Sequence, residues 1–128
     1  MPTPEQVRDA VDAYVDTLNR DDKDSWLKVF AENARQEDPV GTPVNVGHEA
    51  IAQFWDNFHV IAERAELTPK DVVVCGAEAA MPFTLTVHTA GGAVQTDGVD
   101  LFTVDDDGLV CAIRAFLDLS RMRPVDQA

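Results

Sequence analysis

The sequence predicts an α+β fold in which helices occupy the first half of the chain and β-strands the second half. Apolar residues recur with helical spacing over much of residues 3–62, whereas alternation and β-branched runs dominate residues 72–119. Helices followed by consecutive strands are typical of the α+β class. Three helices laid in the concavity of a strongly curved, mixed or antiparallel sheet would enclose a cone-shaped apolar pocket, a usual site for a small apolar ligand.

The first predicted helix spans residues 3–19. Thr3 suits its cap and Pro4 its first turn, and the apolar residues at positions 7, 10, 11, 14, 15 and 18 form one face. A second helix is predicted over residues 22–33, "DKDSWLKVFAEN", and a third over residues 47–62. The third helix would bury these four apolar side chains: Ile51, Phe54, Trp55 and Phe58.

An extended segment that carries Asp38 separates the second helix from the third, with a turn at residues 41–43 and a hairpin partner expected at residues 44–46. In the second half, "MPFTLTVHT" alternates apolar and polar residues, and "DDDG" is typical of a tight hairpin. The last strand carries apolar residues on both faces. The predicted strands cover residues 72–75, 81–89, 94–104 and 109–119.

Length, charge and composition limit the kinds of molecule that the protein is expected to bind. The 128 residues contain no linker or repeat, so we expect a single domain over residues 1–128. A net charge of -13 without a basic run argues against binding to nucleic acid or to anionic membranes. No apolar stretch approaches the ~20 residues of a membrane span, and the start lacks a secretion signal. We therefore expect a cytoplasmic protein with Cys75 and Cys111 reduced and buried, although a bridge between them remains an alternative.

Asp38 lies in "ARQEDPVG", directly before Pro39. Proline disfavours helical conformations in the residue that precedes it, so the backbone of Asp38 is restricted to extended conformations. The simplest interpretation is an acidic residue in a turn. The alternative is a carboxylate held at a fixed place, as a general base must be.

Asp100 is the most unusual residue, because it lies in the apolar strand "GVDLFTV" on the same face as Phe102 and Val104. Burial there would raise its pKa and keep it protonated, and a protonated carboxylic acid donates a hydrogen bond. The alternatives are an acid that faces water at a sheet edge, or an ion-pair partner of Arg114.

Tyr14 is the only tyrosine and lies on the apolar face of the first helix. By itself it reads as a core aromatic residue. Beside a protonated Asp100 it would complete a two-donor oxyanion site, with Asp38 as the base across the cavity. The three histidines lack metal-ligand spacing, so we predict no metal site; His48 lies near a helix start, and His59 and His88 are predicted at the surface.

Five stretches together resemble the ketosteroid isomerases, within the nuclear transport factor 2-like (SnoaL-like) superfamily. The resemblance covers residues 3–119 and rests on Tyr14, Asp38 and Asp100 occurring in order at family-like spacing. Ketosteroid isomerases are themselves a documented case of a carboxylic acid kept neutral in an apolar site. The stretches are "YVDTLNRDDKDSWLKVFAENA", "EDPVG", "GHEAIAQFW", "EAAMPFTLTV" and "VDLFTVDDDGLV".

The resemblance implies a cofactor-free steroid Δ5-3-ketone isomerase. Asp38 would move the proton, while Tyr14 and neutral Asp100 would hold the dienolate oxygen. It also implies a homodimer that packs outer sheet faces together, which suits the apolar residues on both faces of the last strands. The side chains expected to line the steroid pocket are Leu18, Phe30, Phe54, Trp55, Phe58, Phe83, Leu85, Phe102 and Phe116.

One position departs from the ketosteroid isomerase pattern, and another distinguishes the chain from the epoxide hydrolases of the superfamily. Trp55 stands where family members tend to have a tyrosine, and an indole N–H donates but cannot accept. Epoxide hydrolases of the superfamily place an arginine two residues before the strand aspartate, where this chain has Gly98. A polyketide cyclase, a dehydratase or a non-catalytic ligand-binding module on the same fold remain alternatives, because fold does not determine function.

Overall fold

The computed structural model describes residues 1–125, in which three helices cover the concave face of a curved, unclosed, mixed sheet of seven strands. The helices are α1 (Pro4–Asn19), α2 (Lys23–Leu27) and α3 (Gly47–Ile61). The strands are β1 (Phe30–Glu37), β2 (Asn45–Val46), β3 (Arg64–Pro69), β4 (Val73–Cys75), β5 (Glu78–Thr89), β6 (Gly92–Val104) and β7 (Val110–Pro124). The predicted fold class is confirmed.

The strand order is β2-β1-β7-β6-β5-β3, and β4 pairs with β5. Only the β1–β7 pair is parallel among the strand pairs of the described residues. The long antiparallel pairs β5–β6 and β6–β7 place Asp100 opposite Met81 on one side and Ala115 on the other. Asp100 therefore lies in the middle of the sheet, and the alternative of an acid at a sheet edge is wrong.

Helix α1 begins as its sequence predicts. The Thr3 hydroxyl accepts a hydrogen bond from the Gln6 backbone N–H at 3.1 Å, and the Gln6 side chain accepts one from the Thr3 N–H at 2.8 Å. This reciprocal capping satisfies two backbone donors at the helix start. The helix buries Val7, Val11 and Tyr14 against the sheet.

Helix α2 is shorter than predicted, because it ends at Leu27 and the chain enters β1 at Phe30. The prediction of a helix over residues 22–33 is wrong in its second half. Pairing with β7, which aligns Phe30 with Val110 and Gln36 with Ile113, satisfies the backbone there. Tertiary sheet pairing thus overrides a local helical pattern.

Strand β3 is absent from the predicted elements, although Ala65 and Leu67 are buried on alternate positions and supply the period-2 signal. The charged residues Arg64 and Glu66 mask that signal, since charged side chains are uncommon in strands. Strand β2 forms within the predicted hairpin partner by pairing Asn45 and Val46 with β1.

Both cysteines are free, but the prediction that they are buried is wrong. Cys75 is exposed on the short strand β4, and Cys111 is half-buried with its thiol directed at the Thr103 carbonyl oxygen at 3.4 Å. Among the helices of residues 1–125, none combines the length and the apolar character needed to cross a membrane.

Candidate active site

A cavity of about 220 Å³ lies between the helices and the concave face of the sheet. Its wall is almost entirely apolar, and Tyr14, Asp38 and Asp100 all border it. The lining side chains are those of Tyr14, Leu18, Trp26, Asp38, Pro39, Phe54, Trp55, Phe58, His59, Ala65, Leu67, Phe83, Leu85, Asp100, Ala115 and Leu117. The structure thus brings together the three residues that the sequence analysis singled out.

Three predicted lining residues lie outside the cavity. Phe30 and Phe102 are buried behind Tyr14 and contact its ring edge-on, with centroids 6.0 and 5.1 Å away. Phe116 is 39% exposed and carries the Arg114 guanidinium over its ring at 5.3 Å. The expectation that these three would line the pocket is wrong: two support Tyr14 from behind, and Phe116 points outward because the inward positions of β7 are odd-numbered.

Several residues that line the cavity were not predicted from the sequence. Ala115 and Leu117 alternate with the buried Ile113, which is a period-2 signal, but apolar residues on both faces of β7 hid it. Trp26 lies on helix α2, which the sequence predicted to extend to residue 33 but which ends at Leu27. Ala65 and Leu67 belong to the missed strand β3.

Tyr14 projects from α1 into the cavity and is 4% exposed. Burial, followed by electrostatic interaction with the carboxyl groups of Asp100 and Asp38, raises the pKa of Tyr14 well above its usual value. The phenol therefore stays neutral and remains a hydrogen-bond donor.

Asp100 is 2% exposed and has no cationic partner among residues 1–125. The Arg114 guanidinium, one of its candidate partners, pairs instead with Glu37 at 2.9 Å, so the interpretation of Asp100 as an ion-pair partner of Arg114 is wrong. Burial and the nearby charge of Asp38 raise the pKa of Asp100 well above its usual value. These effects favour the protonated acid, which donates a hydrogen bond.

The adjacent acids Glu37 and Asp38 have opposite environments. Glu37 accepts hydrogen bonds from the Arg114 guanidinium at 2.9 Å and from the Gly41 N–H at 3.1 Å, and these contacts hold the pKa of Glu37 below its usual value. The Val40 N–H donates to the Ala115 carbonyl oxygen at 2.8 Å, which ties the loop to β7. With Glu37 and Val40 held on either side, the side chain of Asp38 is directed into the cavity.

Asp38 follows the end of β1 and precedes Pro39 through a cis peptide bond. Its half-buried side chain borders the cavity, and partial removal from water raises the pKa of Asp38 to about 6. A carboxylate with such a pKa is ionised at neutral pH and is a stronger base than an ordinary aspartate.

The side chains of Tyr14, Asp38 and Asp100 make no hydrogen bond of standard geometry to any residue that the structure describes. All three side chains border the apolar cavity, so their polar groups are available to a ligand bound there. Chemically, the set comprises one base and two neutral donors. Such a set can remove a proton next to a carbonyl group and stabilise the resulting oxyanion.

His59 was predicted at the surface, but it is half-buried and lines the cavity. Both of its ring nitrogens are engaged, Nδ1 with the Trp55 carbonyl oxygen at 2.8 Å and Nε2 with Asp21 at 2.7 Å. The ring also stacks on Trp55 with centroids 4.7 Å apart. Neither ring nitrogen of His59 is therefore free to contact a ligand in the cavity.

Gly98 lies on β6 two residues before Asp100, where a side chain has no room. A Cβ atom built there would approach the Phe116 carbonyl oxygen to 2.2 Å and the Phe83 ring to 2.7 Å. An arginine, as the epoxide hydrolases of the superfamily have at this position, does not fit this sheet. No group of three or more His, Cys, Asp or Glu side chains arranged to hold a metal occurs within residues 1–125.

Similar proteins fall into both isomerase and cyclase classes. The chain is 28% identical over 111 residues to a steroid Δ-isomerase of Nocardioides simplex, covering 87% of this chain and 89% of that protein. The epoxide hydrolase/cyclase-like enzyme SalBIII, described in pyran ring formation in polyether salinomycin, superposes with a TM-score of 0.87 at 25% identity. The superposition covers 98% of this chain and all of SalBIII.

A Δ5-3-ketosteroid isomerase from Mycobacterium sp. superposes with a TM-score of 0.83 at 23% identity, covering 94% of this chain and 98% of that one, which shows the shared fold. The SnoaL-like domain pattern matches residues 11–113, the span that contains Tyr14, Asp38 and Asp100. On this match and the nuclear transport factor 2-like architecture of its helices and sheet, the chain belongs to the SnoaL-like domain family.

Proposed function

We propose that the protein isomerises β,γ-unsaturated 3-ketosteroids, moving the double bond from the Δ5 to the Δ4 position without a cofactor. The observation that carries the proposal is the convergence of one unpartnered carboxylate and two neutral donors on an apolar cavity. The relative named as a steroid Δ-isomerase supports the substrate class.

The reaction divides into two proton transfers on one base. The Asp38 carboxylate takes a proton from the carbon between the ketone and the double bond, and the electron pair moves onto the carbonyl oxygen to give a dienolate. Tyr14 and protonated Asp100 each donate a hydrogen bond to that oxygen as its charge develops. Asp38 then returns the same proton two carbons further along, so the carboxylate is regenerated and no atom is gained or lost.

The apolar wall suits a flat, rigid ring system. Phe54 and Phe58 of α3 face Phe83 and Leu85 of β5 across the cavity, and Leu117 of β7 adds to the same wall. Small-molecule sites of this kind combine an apolar lining with a few convergent polar groups. An apolar lining lowers the local dielectric around the oxyanion, which strengthens each hydrogen bond to it.

The direct test follows conjugation of 5-androstene-3,17-dione by ultraviolet absorbance with purified, chelator-treated protein. We expect turnover well above the buffer blank, because the proposed chemistry uses only side chains of the chain itself. A rate equal to the blank would show that either the reaction or the steroid substrate class has been assigned incorrectly.

The decrease of kcat/KM at acidic pH measures the protonation of the Asp38 carboxylate. Because burial raises its pKa to about 6, the carboxylate is protonated below that value and cannot act as a base. We expect kcat/KM of the free enzyme to fall about tenfold per pH unit below pH 6 and to level off above it. A profile that stays flat down to pH 4 would contradict a base with this pKa.

A cyclase or epoxide-opening enzyme is the second candidate, favoured by the likeness to SalBIII. A neutral Asp100 could protonate an epoxide oxygen while Asp38 accepts a proton from the attacking hydroxyl group, so the same pair serves both chemistries. The crowded Gly98 disfavours the arginine-dependent form of such chemistry. A non-catalytic binding module is disfavoured because it has no need of a buried acid without a cationic partner.

We also propose that the protein is a cytoplasmic homodimer. Its two cysteines are free, as in a reducing compartment, and large apolar side chains are exposed on β6 and β7. Those side chains are Leu101, Phe116, Leu119 and Met122. Packing two such faces together would cover them.

A further inference from the structure

The indole of Trp26 contributes a buried donor that the reaction described above does not use. Its Nε1 is fully buried and has no hydrogen bond of standard geometry to any residue within 1–125. The side chain is 1% exposed and lines the cavity together with Tyr14. Unpartnered buried N–H groups are uncommon in folded proteins and call for an explanation.

Among the three aromatic neighbours of Tyr14 in the described residues, Trp26 is the one that carries a hydrogen-bond donor. The two ring centroids are 6.3 Å apart at 47°, whereas the other two aromatic neighbours of Tyr14, Phe30 and Phe102, carry no polar atom. Burial, Asp100 and Asp38 raise the pKa of Tyr14, while the Trp26 N–H acts on it in the opposite direction. As the buried donor of an aromatic ring packed near Tyr14, the indole N–H is a candidate donor to the phenol oxygen.

We propose that Trp26 is a positioning residue for Tyr14, whose phenol oxygen accepts the Trp26 indole N–H when the Tyr14 O–H engages an oxyanion in the cavity. This inference rests on the proposed function, because it requires Tyr14 to face an oxyanion. The reason lies in the donor inventory of the two side chains. An indole N–H donates and never accepts, so Trp26 cannot capture the phenol proton and leaves it free to point into the cavity.

The same contact stabilises charge during the reaction. As Tyr14 donates to the dienolate oxygen, negative charge builds up on the phenol oxygen, and a second donor behind it becomes more favourable. The absence of a standard hydrogen bond from the Trp26 N–H fits this sequence of events, because catalytic hydrogen bonds are often long in the unliganded protein and tighten on binding.

The test uses the fact that Tyr14 is the only tyrosine of the chain. Biosynthetic replacement by 3,5-difluorotyrosine gives a more acidic phenol at position 14 alone, and its ionisation is followed by absorbance. We expect Trp26→Phe to raise the ionisation midpoint by about one to two pH units, because a donor to the ionised oxygen is lost. An unchanged or lowered midpoint would overturn the proposal, since water entering the space left by a smaller ring lowers the midpoint.

Two matched controls separate the donor from the ring. Trp55→Phe removes the neighbouring cavity indole, which packs on Trp26 with centroids 4.9 Å apart, and should not raise the Tyr14 midpoint. Placing β-(3-benzothienyl)alanine at position 26 keeps the ring size but replaces the N–H with sulfur, and should raise the midpoint as Trp26→Phe does. A midpoint that rises equally in Trp55→Phe would also overturn the proposal.

Kinetics supply the second readout. We expect Trp26→Phe to lower kcat about three- to tenfold at unchanged KM, the scale of one hydrogen bond that acts through another group. A raised KM with an unchanged midpoint would show that Trp26 contacts the ligand directly, which contradicts a role through Tyr14. The ionisation midpoint of Tyr14 is measured without turnover. The titration can therefore contradict the Trp26–Tyr14 contact in a protein that has isomerase activity, or support it in a protein that has none.

Discussion

Asp38→Asn is expected to lower kcat for 5-androstene-3,17-dione by ~10²–10⁴-fold, the range of a positioned general base. The amide keeps the size and shape of the side chain but cannot accept the proton. Steroid affinity should change little, because the apolar wall that binds the rings is untouched. Steady-state kinetics together with equilibrium binding of the product measure the two effects separately.

Thermal stability gives this variant an internal control. The pKa of Asp38 is about 6 in the folded protein against an ordinary value near 3.8, so the folded state binds more protons between those values. The contribution of Asp38 to stability therefore falls as pH rises through that window, and the substitution Asp38→Asn should remove this decline. Asp12→Asn, at an exposed position on α1 outside the cavity lining, should leave the kinetics unchanged. Near-normal turnover by folded Asp38→Asn would remove Asp38 from the mechanism.

Asp100→Ala is expected to lower kcat by ~10²–10³-fold, and Asp100→Asn by much less. The amide of asparagine still donates a hydrogen bond to the oxyanion, whereas alanine removes the donor and leaves a gap. Because Arg114 pairs with Glu37, neither substitution strands a charged partner, and both variants should fold. The measurement is kcat of the two variants per correctly folded molecule.

The alkaline limb of the pH profile checks the same role for Asp100. Burial and Asp38 raise the pKa of Asp100 well above its usual value, so activity should persist through neutral pH and fall as the acid ionises. In Asp100→Asn that alkaline limb should disappear, because asparagine does not titrate. Equal kcat values for the folded asparagine and alanine variants would exclude a donor role for Asp100.

Local signals predicted much of the fold because they coincide with the tertiary structure. The Thr3–Gln6 capping and the apolar face of α1 are determined within a few residues, so they survive folding unchanged. Asp100 was identifiable because an acid in an apolar strand conflicts with its surroundings, and such conflicts are expected at functional sites. The structure adds that Arg114 is held by Glu37, a contact between residues 77 positions apart.

The errors arise where local pattern cannot choose between alternatives. Residues on both faces of β7 are apolar, so sequence alone could not assign Phe116 to the outer face and Leu117 to the cavity. The residues after Leu27 carry helical spacing, yet pairing with β7 makes them a strand. His59 enters the cavity wall through the packing of α3 against the loop that holds Asp21, which no local signal reports.

The crowding at Gly98 also limits how this protein could change its chemistry during evolution. Shrinking Phe83 would relieve one of the two clashes at position 98, but the other is with a backbone oxygen, that of Phe116. Any larger residue there requires β6 and β7 to move apart or change register, and a shift of register by one residue would turn Asp100 away from the cavity. An arginine at position 98 therefore needs a movement of the backbone as well as the substitution itself, so a single substitution at Gly98 is not enough to place an arginine beside Asp100.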